Sequence, residues 1–130
     1  MKGTENDSYQ IVTEIDLIGI YLIIFAKTSI IKYIKNFDSQ IIKTGFMGSI
    51  GNKGACLLRF NINDSKIAIA CCHLSAGQEM YEARRSEITD VLNTSFKKYP
   101  SINFKDYDYY FFFGDLNSRI NLDYSNELIE

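Results

Sequence analysis

The sequence predicts a mixed α/β domain in which strands dominate. Three observations carry that reading. Runs of β-branched and aromatic residues recur between turn residues, as in QIVTEIDLIGIYLIIFAKTSII, QIIKT, ACLLRFNI and KIAIACCHL. One stretch, Gln78 to Phe96, changes to a helical period, with Tyr81, Ile88, Val91, Leu92 and Phe96 forming its apolar stripe. A last aromatic run, Tyr107 to Phe113, returns to strand character. Strands, helix, strand is the order of a layered α/β unit.

Residues 1–10 are polar and are expected to be flexible. Within Ile11 to Ile31 the best strand is Leu17 to Lys27, apolar on both faces and so expected inside a covered sheet. Gln40 to Thr44 reads as a shorter strand. The following GFMGSIGNKGA, Gly45 to Ala55, holds four glycines and marks a loop that turns sharply or approaches something closely. Ala55 to Ile62 and Lys66 to Leu74 flank Asn63-Asp64-Ser65, a hairpin signal. Ser75 and Gln78 have capping-box spacing for the helix, and Pro100 lies past its end. Arg84 and Arg85 are expected to pair with Glu87 or Asp90 at helical spacing. Tyr107 to Phe113 would drive three phenylalanines into a core, and Ser125 to Leu128 resembles the opening of a further helix.

Apolar residues make up 46% and charged residues 23% of the 130, which suits one small globular domain or a piece of a larger one. A net charge of −2 argues against broad binding to nucleic acid or anionic membrane, while leaving room for a local cationic pocket. Cys56, Cys71 and Cys72 lack metal-ligand spacing and read as reduced core thiols of a cytosolic protein. The start, MKGTENDSYQ, has no apolar leader core, and the longest apolar run, Leu17 to Ala26, is too short to span a membrane.

Polar chemistry concentrates where two strands end, at His73 and after Gly114. Asp115 and Asn117 are two apart; continued strand geometry would aim them to one side. There the carboxylate can orient or deprotonate water and the amide can donate to an anionic oxygen. Arg119 can bind phosphate or pair with Asp115. The competing reading is an Asx-type turn with a surface arginine. His73, the only histidine, is either a strand-end residue bonded to a carbonyl or a member of a site formed with the second strand end. In Gly51-Asn52-Lys53-Gly54, an amide and an ammonium held between glycines suit a phosphate, although a solvated loop lysine has the same pattern. Phe46, Met47 and Ile50 either tuck into the core or stay exposed to touch lipid.

Three ordered motifs resemble one family. MGSIGNKGA is similar to the MGxxGNKG segment of the inositol polyphosphate 5-phosphatases, CCHLSAGQEMYEARRSEI to their SHLAA segment and following helix, and FFGDLNSRI to their WxGDxNxR signature. The resemblance runs from about Ile18 to Glu130. It implies a layered α/β sandwich of the deoxyribonuclease I-like type, with mixed, mostly antiparallel sheets and flanking helices. It also implies Mg²⁺-dependent removal of the 5-phosphate from inositol polyphosphates or phosphoinositide lipids. By position His73 would contact the scissile phosphate, Asp115 would act as the base on the attacking water, and Asn117 would hold phosphate. Asn52 and Lys53 would meet another ring phosphate, Arg119 joins the substrate-binding set, and the Phe46, Met47 and Ile50 loop would face lipid. The implied partners are inositol phosphates or phosphoinositides at the cytosolic face of membranes, with no nucleic acid.

The departures are specific. Phe112 replaces the signature Trp, Ser118 an aromatic, Ser75 an Ala, and Cys71 and Cys72 an Asn and a Ser. The upstream Glu motif that supplies the main Mg²⁺ ligand, the downstream PxWCDR motif and the final catalytic His do not occur in this sequence, so no metal ligand is assigned. The expectation is that residues 11–130 are a central portion of a catalytic domain, incomplete at both ends and inactive alone. A metal-dependent nuclease of the same superfamily shares the Gly-Asp-x-Asn core, and a non-catalytic phosphoinositide-binding module could keep Asn52, Lys53 and the apolar loop; these are the alternatives.

Overall fold

The computed structural model describes residues 8–44 and 52–119. Eight strands and one α-helix follow in the order β1 (Tyr9–Leu17), β2 (Ile20–Lys27), β3 (Ile34–Lys43), β4 (Gly54–Ile62), β5 (Ser65–His73), α1 (Tyr81–Asn93), β6 (Ser95–Phe96), β7 (Tyr99–Asn103) and β8 (Tyr109–Asp115). The main sheet has the order β3-β4-β5-β8, antiparallel except for the parallel β5–β8 pair. The connection between β5 and β8 carries α1 and the small β6–β7 hairpin, consistent with the long crossover that a parallel pair requires. This is the mixed, mostly antiparallel α/β class that the sequence predicts.

β4 is the spine. Its residues alternate between two cores, because successive side chains of a strand point to opposite faces. Ala55 and Leu57 join Ala68, Ala70, Cys72, Val91, Phe96, Phe104 and Tyr107 under α1. Cys56, Leu58 and Phe60 join Leu17, Ile20, Leu22 and Ala26 under the β1–β2 hairpin. Burying a side chain such as Leu57 or Leu58 contributes about 1.5–3 kcal/mol. Arg59 is also buried, on the α1 side. Its guanidinium donates to Asn36 O at 2.6 Å and Asn61 Oδ1 at 2.6 Å, and lies 3.8 Å from the Tyr99 ring centroid. A bulge in β3 between Lys35 and Asp38, with Asn36 at φ 59°, lies at the residue whose carbonyl receives that arginine.

Several expectations are corrected. Leu17 to Lys27 is not one doubly buried strand. Gly19 takes φ 82° and folds the run into the β1–β2 hairpin, leaving Tyr21 and Phe25 exposed. Ordered strand begins at Tyr9, inside the stretch expected to be flexible. β3 starts at Ile34, six residues earlier than its local pattern suggests, because pairing with β4 recruits polar residues into the ladder. The helix ends at Asn93. Phe96 belongs to β6, and Pro100 sits within β7, in a two-stranded sheet where a missing N–H is tolerated. Gly77, not Ser75, caps the short 3₁₀ turn Gln78–Met80 that precedes α1. Arg85 pairs with Glu82 at 4.0 Å, whereas Arg84 and Glu87 turn inward.

The largest correction is β8. Among the described residues it is one edge of the main sheet, with β3 at the other, and Phe111 and Phe113 are 54% and 45% exposed. Phe112, on the opposite face, packs against the α1-side core. The hairpin-side core draws its sheet residues from β3, β4 and β5, so the outer stripe of β8 extends beyond that cover. Ser125 to Leu128 lie outside the described residues. Among the described residues no helix is long and apolar enough to cross a membrane.

Candidate functional site

One end of the main sheet collects the polar residues singled out above. The ladder brings Lys43 opposite Gly54, Gly54 opposite His73, and His73 opposite Asp115. Two glycines make this end possible. Gly54 has φ +146°, and a Cβ there would lie 2.0 Å from Ile42 O. Gly114 has φ +119°, and a Cβ there would lie 2.2 Å from Cys72 O. Neither approach tolerates a side chain, so both strand ends close tightly against their neighbours.

His73 Nε2 lies 3.6 Å from Asp115 Oδ2 and 2.5 Å from Lys53 Nζ. The imidazole is 27% exposed and the carboxylate 63%, so the pair opens to solvent. Lys53 directly precedes β4, which is why the ammonium falls beside the end of β5. The turn of the β1–β2 hairpin closes the other side. A Cβ built on Gly19 would be 3.6 Å from His73 Nδ1 and 3.9 Å from Asn52 O. The sequence signal for this wall was a lone glycine inside an apolar run, which marks a tight turn or a close approach.

After Asp115 the chain leaves strand geometry. Asn117 takes φ 48°, and its N–H donates to Asp115 Oδ1 at 3.0 Å, so an Asx-type turn replaces the extended continuation. The turn still returns Asn117 to the β5 side, where Nδ2 donates to Leu74 O at 2.9 Å. Leu74 N–H donates to Asp115 O at 2.9 Å, carrying the β5–β8 pairing one residue beyond the strand. An amide nitrogen has two hydrogens, so Asn117 keeps a second donor while the first anchors it. Arg119 pairs with Asn117 Oδ1 at 3.4 Å rather than with Asp115. It also lines a groove of about 320 Å³ against α1, with Tyr81, Arg85, Ile88 and Leu116.

His73, Lys53, Asp115 and Asn117 are therefore gathered in one place, with Arg119 attached through Asn117. Asn52 is exposed beside Lys53. Phe46, Met47 and Ile50 lie outside the described residues. An ammonium, an imidazole and an amide around one carboxylate suit an anionic ligand and a polarised water. Magnesium takes oxygen ligands, commonly one or two carboxylates with water and phosphate. Asp115 offers one carboxylate, and among the described residues no group of three or more His, Cys, Asp or Glu converges to hold a metal ion. These residues alone do not make a magnesium site.

Comparison with known proteins gives the same direction. The family model for Endonuclease/Exonuclease/phosphatase family 2 matches residues 1–130. Inositol-1,4,5-trisphosphate 5-phosphatase 1 of Schizosaccharomyces pombe is 36% identical over 124 residues, which are 95% of this chain and 11% of that protein. Synaptojanin-2 of Rattus norvegicus is 34% identical over 117 residues, 89% of this chain and 8% of that protein. The crystal structure of the inositol polyphosphate 5-phosphatase domain of SPsynaptojanin, in complex with inositol (1,4)-bisphosphate and calcium ion, superposes with a TM-score of 0.79 at 32% identity. It covers 96% of this chain, and the chain covers 36% of it. The chain thus spans about a tenth of the length of these curated relatives. Together with the site at the end of the β3-β4-β5-β8 sheet, these matches show that the chain belongs to the endonuclease/exonuclease/phosphatase family and corresponds to a portion of an inositol polyphosphate 5-phosphatase catalytic domain.

Proposed function

We propose that this chain is the phosphate-handling portion of a Mg²⁺-dependent phosphatase domain that removes the 5-phosphate from inositol polyphosphates or phosphoinositide lipids. The observation that supports the reading best is the adjacency of His73 to both Asp115 and Lys53, at 3.6 and 2.5 Å. In the proposal Asp115 orients and deprotonates the attacking water, His73 contacts the scissile phosphoryl group, and Asn117 donates its second amide hydrogen to it. Asn52 and Lys53 hold a neighbouring ring phosphate, with Arg119 assisting from the rim. Mg²⁺, completed by ligands from outside the described residues, would supply charge neutralisation at the phosphoryl oxygens. The solved relative bound calcium and inositol (1,4)-bisphosphate, which supports a divalent cation and this substrate class.

The metal donor set, incomplete among the described residues, favours a second statement: the 130-residue chain by itself turns over negligibly. The test is phosphate release from inositol 1,4,5-trisphosphate and from phosphoinositide vesicles, with Mg²⁺ or EDTA. The chain alone is compared with the same residues inside a complete catalytic domain. Mg²⁺-dependent release by the complete domain alone is the expected result. Release by neither, with inositol bisphosphate still bound, supports the binding-module reading instead, and cleavage of DNA in preference to inositol phosphates supports a nuclease.

A further inference from the structure

Arg84 and Glu87 on α1, each 6% exposed, are with Arg59 the buried charged side chains among the described residues. Both reach to the same short segment. The Glu87 carboxylate accepts Ser75 N–H on Oε2 at 2.9 Å and Ser75 Oγ–H on Oε1 at 2.6 Å. The Arg84 guanidinium donates to Ser75 O at 3.0 Å and Gly77 O at 2.7 Å. A carboxylate and a guanidinium one helical turn apart therefore hold the donors and the acceptors of residues 75–77 together. Taking two charged groups out of water is unfavourable unless they are well bonded, and neither is needed to fill an apolar core.

The clamped segment begins two residues after His73. The intervening Leu74 is the residue to which both other site groups attach: its N–H goes to Asp115 O, and its carbonyl receives Asn117 Nδ2. We propose that Arg84 and Glu87 are positioning residues that fix Leu74 through Ser75, and so set His73 and Asn117 against Asp115. This inference rests on the reading of His73 and Asn117 as phosphate-handling groups. Hydrogen bonds of this charge-assisted kind are the strong ones, and a reacting constellation requires such support to hold its geometry.

The experiment is nuclear magnetic resonance of a complete catalytic domain that contains these residues, carrying Glu87→Gln, Ser75→Ala or Ser75→Thr. In Glu87→Gln and Ser75→Ala the Asn117 side-chain amide and the His73 ring signals are expected to shift. Exchange of the Asn117 amide hydrogens should quicken by about tenfold, corresponding to about 1.4 kcal/mol, while amides of β3 and β4 keep their positions. Ser75→Thr, which restores a hydroxyl, returns the signals. If Glu87→Gln does not fold, the serine pair decides. Unmoved His73 and Asn117 signals would overturn the proposal, as would β4 amides that move equally, since the clamp would then be ordinary fold support. Because the readout needs no turnover, shifted signals in a domain that releases no phosphate would leave the clamp standing and remove the phosphatase reading.

Discussion

His73 and Asp115 are register partners on neighbouring parallel strands, and their side chains meet with Nε2 3.6 Å from Oδ2. Parallel pairing fixes this relationship through the backbone. Both strands end at the same level, and the Leu74 N–H bond to Asp115 O locks the next step. The carboxylate is thereby held beside the imidazole while remaining 63% exposed.

That geometry predicts the behaviour of Asp115→Asn. The amide oxygen of the new side chain can still accept the Asn117 N–H, so the turn survives. Within a complete catalytic domain, turnover should fall by about 10²–10⁴-fold, the usual contribution of a positioned general base, with the melting temperature nearly unchanged. Steady-state phosphate release and thermal melting check it. Near-normal turnover removes Asp115 as the base.

Gly114→Ala should act through structure rather than chemistry. With φ +119° and Cys72 O and N at 2.2 and 2.8 Å from the added Cβ, the backbone of β5 or β8 must move. Strain at such a position is expected to destabilise by about 1–3 kcal/mol, measured as a lowered urea midpoint. It should also part His73 from Asp115. A variant with wild-type stability and an unaltered His73 ring signal would contradict the close packing described for this strand end.

The legible part of the fold was the part fixed by local pattern. β4 and β5 have turn residues at Asn63 and Asp64 and apolar residues on both faces, and the ladder follows directly. The clustered site was legible for a similar reason, since His73 and Gly114 each end an apolar run. Long-range pairing hid the rest. β3 is polar over Lys35 to Gln40 except at Phe37, and becomes strand because β4 supplies its hydrogen bonds. Arg84 and Glu87 have the spacing of a surface pair, and only the fold around them shows that Ser75 draws them inward. The three phenylalanines of β8 looked like core because hydrophobicity does not report which strand is the edge.

Alkaline pH should weaken the fold. Burial pushes the Cys56 thiol from 9.0 up to about 11, with Cys71 and Asp16 adding to it, and burial pushes Cys72 up to about 12, with Cys71, Cys56 and Glu87 adding to it. The native state then holds thiol protons that the unfolded chain releases. Stability from this source is complete below about pH 9 and declines as pH rises towards 11 and 12. Urea midpoints at pH 7, 9 and 10.5 test the sign, and Cys72→Ala should flatten the decline. A midpoint that holds or rises above pH 9 contradicts it.

The exposed edge gives the last prediction. From Tyr109 to Gly114, β8 carries no charge and no proline, its outer backbone groups have no strand beside them among the described residues, and Tyr109, Phe111 and Phe113 form an exposed stripe. An uncharged aromatic edge of this kind is a template for pairing with other chains. The isolated chain should therefore self-associate at concentrations of roughly 100 μM, where transiently exposed strands generally aggregate. Phe111→Lys places a charge on the stripe without removing a core contact, because Phe112, not Phe111, packs against the α1-side core. Sedimentation should show a larger monomer fraction for Phe111→Lys than for the parent chain at equal concentration, with an unchanged circular dichroism spectrum. A parent chain that stays monomeric would mean that other residues cover this edge, and an equally associated Phe111→Lys would place the contact elsewhere on the surface.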